Sequence, residues 1–331
     1  MTIAVELRSS AHQDLLSTDE RALYALGRAL ERQGYRFTTI TPTTQHAALK
    51  RRQGELARSI RDVFGWNLPF EVETLGRPLF EQLQAAGCVT SGTAAHLWRS
   101  TVRFSTLDGL LFAHSGYPTN AKDAVFFGPD SHRFVAAVQR SAPHSRSIVD
   151  VGCGSGVGGI ALARHWHARP KLTLADVSPA ALSFARVNAA LAGVEADFVK
   201  SDVLGSVTGE IDLIIANPPY LLDDGQRLYR DGGGVHGEGL ALRIVDEAVT
   251  RLARSRRGGT LLLYTGSAIV DGFDSIRHAT LPRLRHAGVT ARYEELDPDV
   301  FSEELERPAY AHVERIAAVF LTATVGGRNE H

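Results

Sequence analysis

The sequence predicts an α/β fold in which helices flank a parallel sheet, and three observations support this prediction. From about residue 135 onward, short apolar runs alternate with helical patterns, which is typical of consecutive βαβ units. The run Ser147–Val151 leads directly into a glycine-rich turn and a helical segment. The next strand ends at Asp176, about 20 residues after this turn, the spacing at which a carboxylate can grip the hydroxyls of a ribose.

Length, charge and cysteine content narrow the class of protein. A chain of 331 residues exceeds what one hydrophobic core usually supports, so we expect two domains. With a formal net charge of −1, the protein as a whole is not attracted electrostatically to nucleic acid or to an anionic membrane. Local basic patches on its surface are still compatible with this charge. Cys88 and Cys153 lie far apart without metal-ligand spacing, so we expect neither a disulfide framework nor a metal site. No run resembles a signal core or a membrane span, and we expect a cytoplasmic protein.

Residues 1–123 are predicted to form a separate, mainly helical domain that ends in a β-hairpin. The hairpin is expected around Asp108-Gly109, because an Asp-Gly pair between two β-prone runs favours a tight turn. Three runs before it have apolar residues at helical spacing, at residues 18–33, 46–64 and 75–86. The domain carries no obvious catalytic set, so we expect it to recognise substrate or to cap the active site.

The second predicted helix has one strongly basic face. Two interpretations of this face stay open: it contacts nucleic acid, or it is simply a solvated helix surface. The basic residues are Lys50, Arg51, Arg52, Arg58 and Arg61.

The most informative stretch is residues 211–220. Its apolar first half predicts a strand buried on both faces, and the two prolines that follow end this strand. The side-chain carbonyl of Asn217 and the backbone carbonyl of Pro218 could together accept both hydrogens of a planar NH2 group. Tyr220, after Pro219, could stack on the flat face of the same group. Such a clamp would orient a weakly nucleophilic nitrogen and stabilise the positive charge that it gains on forming a bond.

The glycine turn allows two interpretations. Its glycines let the backbone approach a ligand beside a helix N-terminus. Residues 154–159 also match the G-x-G-x-x-G pattern, so an NAD-dependent dehydrogenase is an alternative.

Two motifs resemble those of class I S-adenosylmethionine (SAM) methyltransferases that modify planar nitrogens. They are Asn-Pro-Pro-Tyr at residues 217–220 and Asp-Val-Gly-Cys-Gly-Ser-Gly at residues 150–156. The resemblance implies a Rossmann-like seven-stranded sheet over residues 124–331, with SAM as cofactor and S-adenosyl-L-homocysteine as product. It implies that Asp176 holds the ribose of the cofactor and that Asp202 holds its adenine. The implied catalytic residues are Asn217, Pro218, Pro219 and Tyr220, and the implied cofactor-binding residues are Asp150, Gly152, Gly154, Gly156, Asp176, Asp202 and Asn217.

The methyl acceptor is the open question. The C-terminal motifs resemble the HemK/PrmC-type glutamine methyltransferases best, so the first expectation is a glutamine side chain of a protein. The Arg-Pro-Glu-Thr pattern of that family is absent, and Gly128-Pro129-Asp130 stands in the corresponding segment. The alternatives are adenine N6 or guanine N2 of RNA or DNA, a small molecule, or a non-catalytic protein that senses SAM and binds nucleic acid. The glycine-rich stretch 221–239 is long for a loop of this kind and could be a lid.

Overall fold

The N-terminal domain combines short helices with two β-hairpins. The computed structural model describes residues 16–92, 94–166 and 169–327. The predicted hairpin at Asp108-Gly109 is confirmed, and a smaller hairpin precedes it. The elements are α1 (Thr18–Arg32), α2 (Pro42–Arg51), α3 (Val72–Leu75), α4 (Arg77–Ala85), β1 (Val89–Ser91), β2 (Trp98–Ser100), β3 (Val102–Leu107) and β4 (Leu110–Ser115).

The prediction of one long second helix is wrong. Pro42 opens α2 at its first helical position, where the missing N–H of proline costs nothing, and the helix ends at Arg51. The chain then turns through Gly54, whose φ of 82° lies in the left-handed region. A single π-helical turn, Asp62–Trp66, follows after this break.

The C-terminal domain is built on one sheet with helices on both faces. Its helices are α5 (Pro129–Ser141), α6 (Val157–His165), α7 (Pro179–Ala192), α8 (Gly239–Arg254) and α9 (Ser275–His286). Its strands are β5 (Ser147–Val151), β6 (Lys171–Asp176), β7 (Asp197–Lys200), β8 (Leu213–Ala216), β9 (Gly258–Val270), β10 (Phe273–Asp274), β11 (Thr290–Asp297) and β12 (Arg315–Gly326).

The strand order confirms the predicted fold class. Seven strands follow the order β11-β12-β9-β8-β5-β6-β7, and the two-residue β10 is attached to β9. β12 runs antiparallel to both of its neighbours, while the neighbours from β9 to β7 are parallel. This is the Rossmann-like sheet of class I methyltransferases. Every residue of β8 is buried, as expected for a central parallel strand.

The two domains share a packed interface between α7 and the β3–β4 hairpin. Val187 and Leu191 of α7 belong to the same hydrophobic cluster as the core of the N-terminal domain. The buried side chain of Asn188 accepts the N–H of Ala113 at 2.7 Å and donates to the Ala113 carbonyl at 2.9 Å. Asn188 thus pairs with β4 as a neighbouring strand would. In the described ranges, no helix has the length and apolar character needed to cross a membrane.

Candidate active site

A cavity of about 480 Å³ opens at the carboxyl edge of the sheet. It lies where the strand order reverses between β5 and β8, the place at which open α/β sheets bind ligands. Its walls come from the glycine turn after β5, the end of β6, the motif after β8, and the segments 119–134 and 226–231. Pro42, the first residue of α2, also lines it, so the N-terminal domain reaches the cavity.

Asn217 and Pro218 offer two unpaired acceptors to this cavity. Both residues line it, together with Pro219. Within the described part of the chain, no group hydrogen-bonds to the side-chain amide of Asn217 or to the carbonyl of Pro218. These acceptors are unpaired because the two prolines end the strand. Neither proline has an N–H to donate to a neighbouring strand, so the hydrogen-bond ladder of the sheet ends at Ala216. The pair is therefore free to accept hydrogen bonds from a ligand.

Tyr220 is fixed by the protein around it. Its hydroxyl donates to Oδ2 of Asp130 at 2.5 Å, and the hydroxyl of Tyr264 on β9 donates to Oδ1 of the same carboxylate at 2.8 Å. An added Cβ on Gly266 would meet the Tyr220 ring at 2.2 Å, so one side of the ring lies directly on the backbone of β9. Burial raises the pKa of the Asp130 carboxyl, and the hydrogen bonds from the two tyrosines oppose that rise. Tyr220 thus forms part of the cavity wall, with its ring held in one orientation.

The glycine turn leaves room for a ligand beside its backbone. Gly152 and Gly154 line the cavity with positive φ values of 64° and 55°. No protein atom lies within 4 Å of the position that a Cβ on Gly152 would take. Gly156 is not among the cavity-lining residues, and a Cβ there would press on Ile160 at 2.8 Å, so its position reflects packing of the turn against α6.

The two buried aspartates beside the turn both bind backbone amides. Asp150 accepts the N–H of Gly159 at 2.8 Å, at the start of α6. Asp176 accepts the N–H of Gly154 at 2.9 Å through Oδ2 and that of Ser178 at 2.8 Å through Oδ1. Burial raises the pKa of the Asp150 carboxyl to about 7 and also raises that of Asp176. Both carboxylates line the cavity while holding the turn and the following helix in place.

Asp202 lies at the rim of the cavity and is mostly exposed. Its carboxylate pairs with Arg243 of α8, which also binds Glu247 at 3.1 Å. Apolar side chains also line the cavity, namely Val177, which follows Asp176, and Leu240 and Ile244 of α8. The cavity therefore combines the carboxylates of Asp176 and Asp202 with an apolar wall. This combination suits a flat heteroaromatic ring that has a polar edge.

The loop from Leu221 to Glu238 folds across the other end of the cavity. Leu228 donates its N–H to the carbonyl of Lys122 at 3.0 Å. The Tyr229 ring is parallel to that of Phe126 at a centroid distance of 5.7 Å, and its hydroxyl contacts the Thr119 carbonyl at 2.9 Å. The loop thus closes onto the segment that links the two domains.

An ion network anchors this loop to the end of the sheet. Glu304, between β11 and β12, pairs with Arg230 and, at 2.7 Å, with Arg307. Arg227 pairs with Asp223, and hydrogen bonding from Arg227 lowers the pKa of the Asp223 carboxyl to about 2. Because Arg230, Asp223 and Glu304 are shielded from solvent, the network ties the loop down more firmly than surface ion pairs would.

Several cavity residues were missed by the sequence interpretation. Asp130 enters the sequence analysis only through the family resemblance, and no motif in the sequence indicates Tyr229 or Phe126, which also line the cavity. Pro42 carried no signal in the sequence, because it reaches the cavity only through the fold, and Tyr264 lies behind the cavity wall, where its hydroxyl donates to Asp130. Among the described residues, no cluster of His, Cys, Asp or Glu has the arrangement of a metal site.

Comparison with known proteins shows that part of the C-terminal domain is similar to methyltransferases. Residues 129–263 match the family model described as the Methyltransferase small domain. The chain is 41% identical over 113 residues to "Ribosomal RNA small subunit methyltransferase C" of Enterobacter sp. (strain 638) and of Escherichia coli (strain K12 / DH10B). These matches cover 32% of this chain and 33% of each relative. The chain therefore matches about a third of the length of its curated relatives.

Solved structures resemble the chain at the level of the fold. Trm5b from Pyrococcus abyssi is 16% identical with a TM-score of 0.48, over 72% of this chain and 62% of that one. The T. Thermophilus 16S rRNA N2 methyltransferase RsmC, solved with AdoMet and guanosine, is 16% identical with a TM-score of 0.44, over 79% and 64%. The C-terminal domain thus has the strand order of class I methyltransferases, and residues 129–263 within it match the Methyltransferase small domain.

Proposed function

We propose that the protein transfers a methyl group from SAM to the exocyclic NH2 group of a purine in RNA. The observation that carries the proposal is the pair of unpaired acceptors, Asn217 Oδ1 and the Pro218 carbonyl, on the wall of the cavity that also contains the glycine turn. Acceptors alone suit a group that offers two N–H donors and bears no negative charge. Exocyclic NH2 groups of guanine and adenine have this character.

The residues around the glycine turn fit SAM. The open backbone at Gly152 and Gly154 suits the methionine part of the cofactor, Asp176 suits its ribose hydroxyls, and Asp202 with the apolar wall suits its adenine. When bound, SAM supplies a methyl group on a sulfonium centre. The Asp202–Arg243 pair is exposed, so exchanging this partner for an adenine amine costs little.

The roles of the protein groups follow from their chemistry. Asn217 and Pro218 would each accept one N–H of the NH2 group, which turns its lone pair toward the methyl carbon and stabilises the charge that develops on nitrogen. The nitrogen would accept the methyl group that SAM supplies, leaving S-adenosyl-L-homocysteine, and would then lose one proton to solvent. Tyr220, held by Asp130, would pack against the planar acceptor. No strong base is needed, since the proton leaves after the nitrogen has become acidic.

The observations favour RNA over a protein glutamine as the methyl acceptor. A glutamine amide offers the same planar NH2 group, so the clamp alone does not separate the two. The curated relatives, however, are named for ribosomal RNA of the small subunit. The stacked Phe126–Tyr229 pair, which also lines the cavity, offers aromatic surface to a base.

A labelling experiment tests the proposal. The protein is incubated with tritiated SAM and unmodified small-subunit ribosomal RNA or, separately, with total cell protein, and the products are digested with nuclease or protease. We expect the label in methylated purine nucleosides, and chromatography against N2-methylguanosine and N6-methyladenosine standards identifies the base. Label that resists nuclease and is released by protease would contradict the proposal and restore the glutamine interpretation.

A further inference from the structure

The N-terminal domain carries a group of five cations, four of which are exposed and lack acidic partners among the described residues. We define the basic surface as Lys50, Arg51, Arg52, Arg58, Arg61 and Trp66. Within the described ranges, Arg52 forms the ion pairs of this surface, with Glu55 and Asp62 at 2.9 Å each. The other four cations are exposed and have no carboxylate within ion-pair distance.

The fold places two of these cations, Arg52 and Arg61, over the ring of Trp66. The guanidinium of Arg61 lies 5.8 Å from the Trp66 ring centroid, and that of Arg52 lies 5.9 Å from it. Gln45 of α2 donates to the Trp66 carbonyl at 3.0 Å, which fixes α2 beside the π-helical turn. The break at Gly54, which the sequence interpretation missed, is what folds the two basic stretches side by side.

The C-terminal domain has both paired and unpaired arginines, and Arg254, Arg256 and Arg257 are exposed without an ion pair in the described ranges. Many of its arginines pair with carboxylates, as Arg133, Arg140, Arg186, Arg243 and Arg315 do. With a net charge of −1 for the whole chain, unpaired cations on one part of the molecule form a local positive field. Cations grouped around an aromatic ring are typical of surfaces that bind the backbone and bases of single-stranded nucleic acid.

The helix α2 connects the basic surface with the cavity. Pro42 at the start of this helix lines the cavity, and Lys50 and Arg51 lie at its other end. Ten helical residues span about 15 Å, a distance that a few nucleotides of an extended strand can cover. Lys122, an exposed cation without an ion pair in the described part of the chain, lines the cavity itself.

We infer that the basic surface binds phosphates of the RNA strand whose base enters the cavity. The identity of the strand as substrate rests on the proposed function, whereas RNA binding by the surface does not. The N-terminal domain would thus act in substrate recognition, by holding the strand one helix length away from the reacting base.

A charge-matched pair of variants tests the inference. One variant carries Lys50→Gln, Arg51→Gln and Arg58→Gln, leaving Arg52 and Arg61 on their aromatic partners. The control carries Arg254→Gln, Arg256→Gln and Arg257→Gln, three exposed cations just before β9, at the sheet edge opposite the cavity. Binding of a labelled single-stranded RNA of mixed sequence is measured between roughly 50 and 200 mM salt, where phosphate contacts dominate the salt dependence.

We expect the first variant to lose about tenfold in RNA affinity and its log–log salt slope to become shallower by about 2, since each phosphate contributes about 0.7. The control should stay within about twofold of the wild type, and both variants should bind SAM as the wild type does. Equal losses in the two variants, or an unchanged slope in the first, would overturn the inference. Displacement of RNA by polyglutamate as effectively as by unlabelled RNA would also overturn it, in favour of an acidic protein partner. A salt-dependent loss confined to the first variant supports the inference even if no methyl transfer is detected.

Discussion

At the scale of single residues, the backbone explains why two acceptors are available in the cavity. Consecutive prolines stop the β8 ladder and leave the Pro218 carbonyl and the Asn217 amide without partners among the described residues. Tyr220, two residues later, is by contrast held at both its hydroxyl and its ring. The motif thus joins a free pair of acceptors to a rigid aromatic wall.

Asp150 makes the stability of the domain depend on pH. Burial raises the pKa of its carboxyl from 3.8 to about 7, so between these values the folded state binds a proton that the unfolded chain releases. This contribution to stability is therefore lost as pH rises from about 4 to about 7. Asp150→Asn cannot titrate and can still accept the Gly159 N–H.

We therefore expect the free energy of unfolding of Asp150→Asn, relative to the wild type, to rise with pH across this window. The steepest change should be about 1.4 kcal/mol per pH unit. Urea titrations at a series of pH values measure it. A difference that stays constant from pH 4 to 8 would show that Asp150 is not a buried titrating group.

At the scale of elements, the sequence predicts structure that depends on neighbouring residues, but it does not predict contacts between residues that lie far apart in the chain. The glycine turn, the buried strand β8 and the Asp-Gly hairpin follow from a few neighbouring residues, and the structure contains each of them. The second helix was mispredicted because Leu49, Leu56 and Ile60 keep helical spacing across a break. The bonds of Asp130 to Tyr220 and Tyr264 join residues 90 and 134 positions apart, which periodicity cannot reveal.

The anchoring of the loop over the cavity depends on Glu304, an acidic residue outside the loop. Glu304 pairs with Arg230 and Arg307, so Glu304→Gln would leave the shielded Arg230 poorly paired. We expect the amides of Leu221 and Gly232, which close the base of the loop, to exchange about tenfold faster with deuterium. Hydrogen-exchange mass spectrometry measures this change.

Asp224→Asn provides the control for Glu304→Gln. Asp224 pairs with Arg307 at 3.2 Å, but its side chain is 98% exposed, so its ion pair contributes little. Exchange in the loop should stay within about twofold of the wild type. Similar acceleration in the two variants would mean that the network does not anchor the loop.

At the scale of the whole molecule, one asparagine couples the two domains. Asn188 exchanges two hydrogen bonds with Ala113 and donates a third to the carbonyl of Ser155, beside the glycine turn. Since the side chain is fully buried, Asn188→Ala leaves backbone groups of both domains without partners.

We expect Asn188→Ala to lower the free energy of unfolding by about 3 kcal/mol. The transition followed by tryptophan fluorescence should shift together with the one followed by circular dichroism, because the interface is shared. Asn120→Ala, at an exposed asparagine, is the matched control and should leave both midpoints in place. An unshifted transition for Asn188→Ala would show that the domains are held together elsewhere.

The clamp formed by Asn217 and Pro218 is tested by single-turnover methyl transfer with the variant Asn217→Ala. Rates are measured with saturating SAM and small-subunit ribosomal RNA, alongside SAM affinity by calorimetry. The account predicts a rate at least about 100-fold below the wild type, the usual loss for one preorganised polar contact, with SAM affinity nearly unchanged. A variant that transfers methyl groups as fast as the wild type would contradict it.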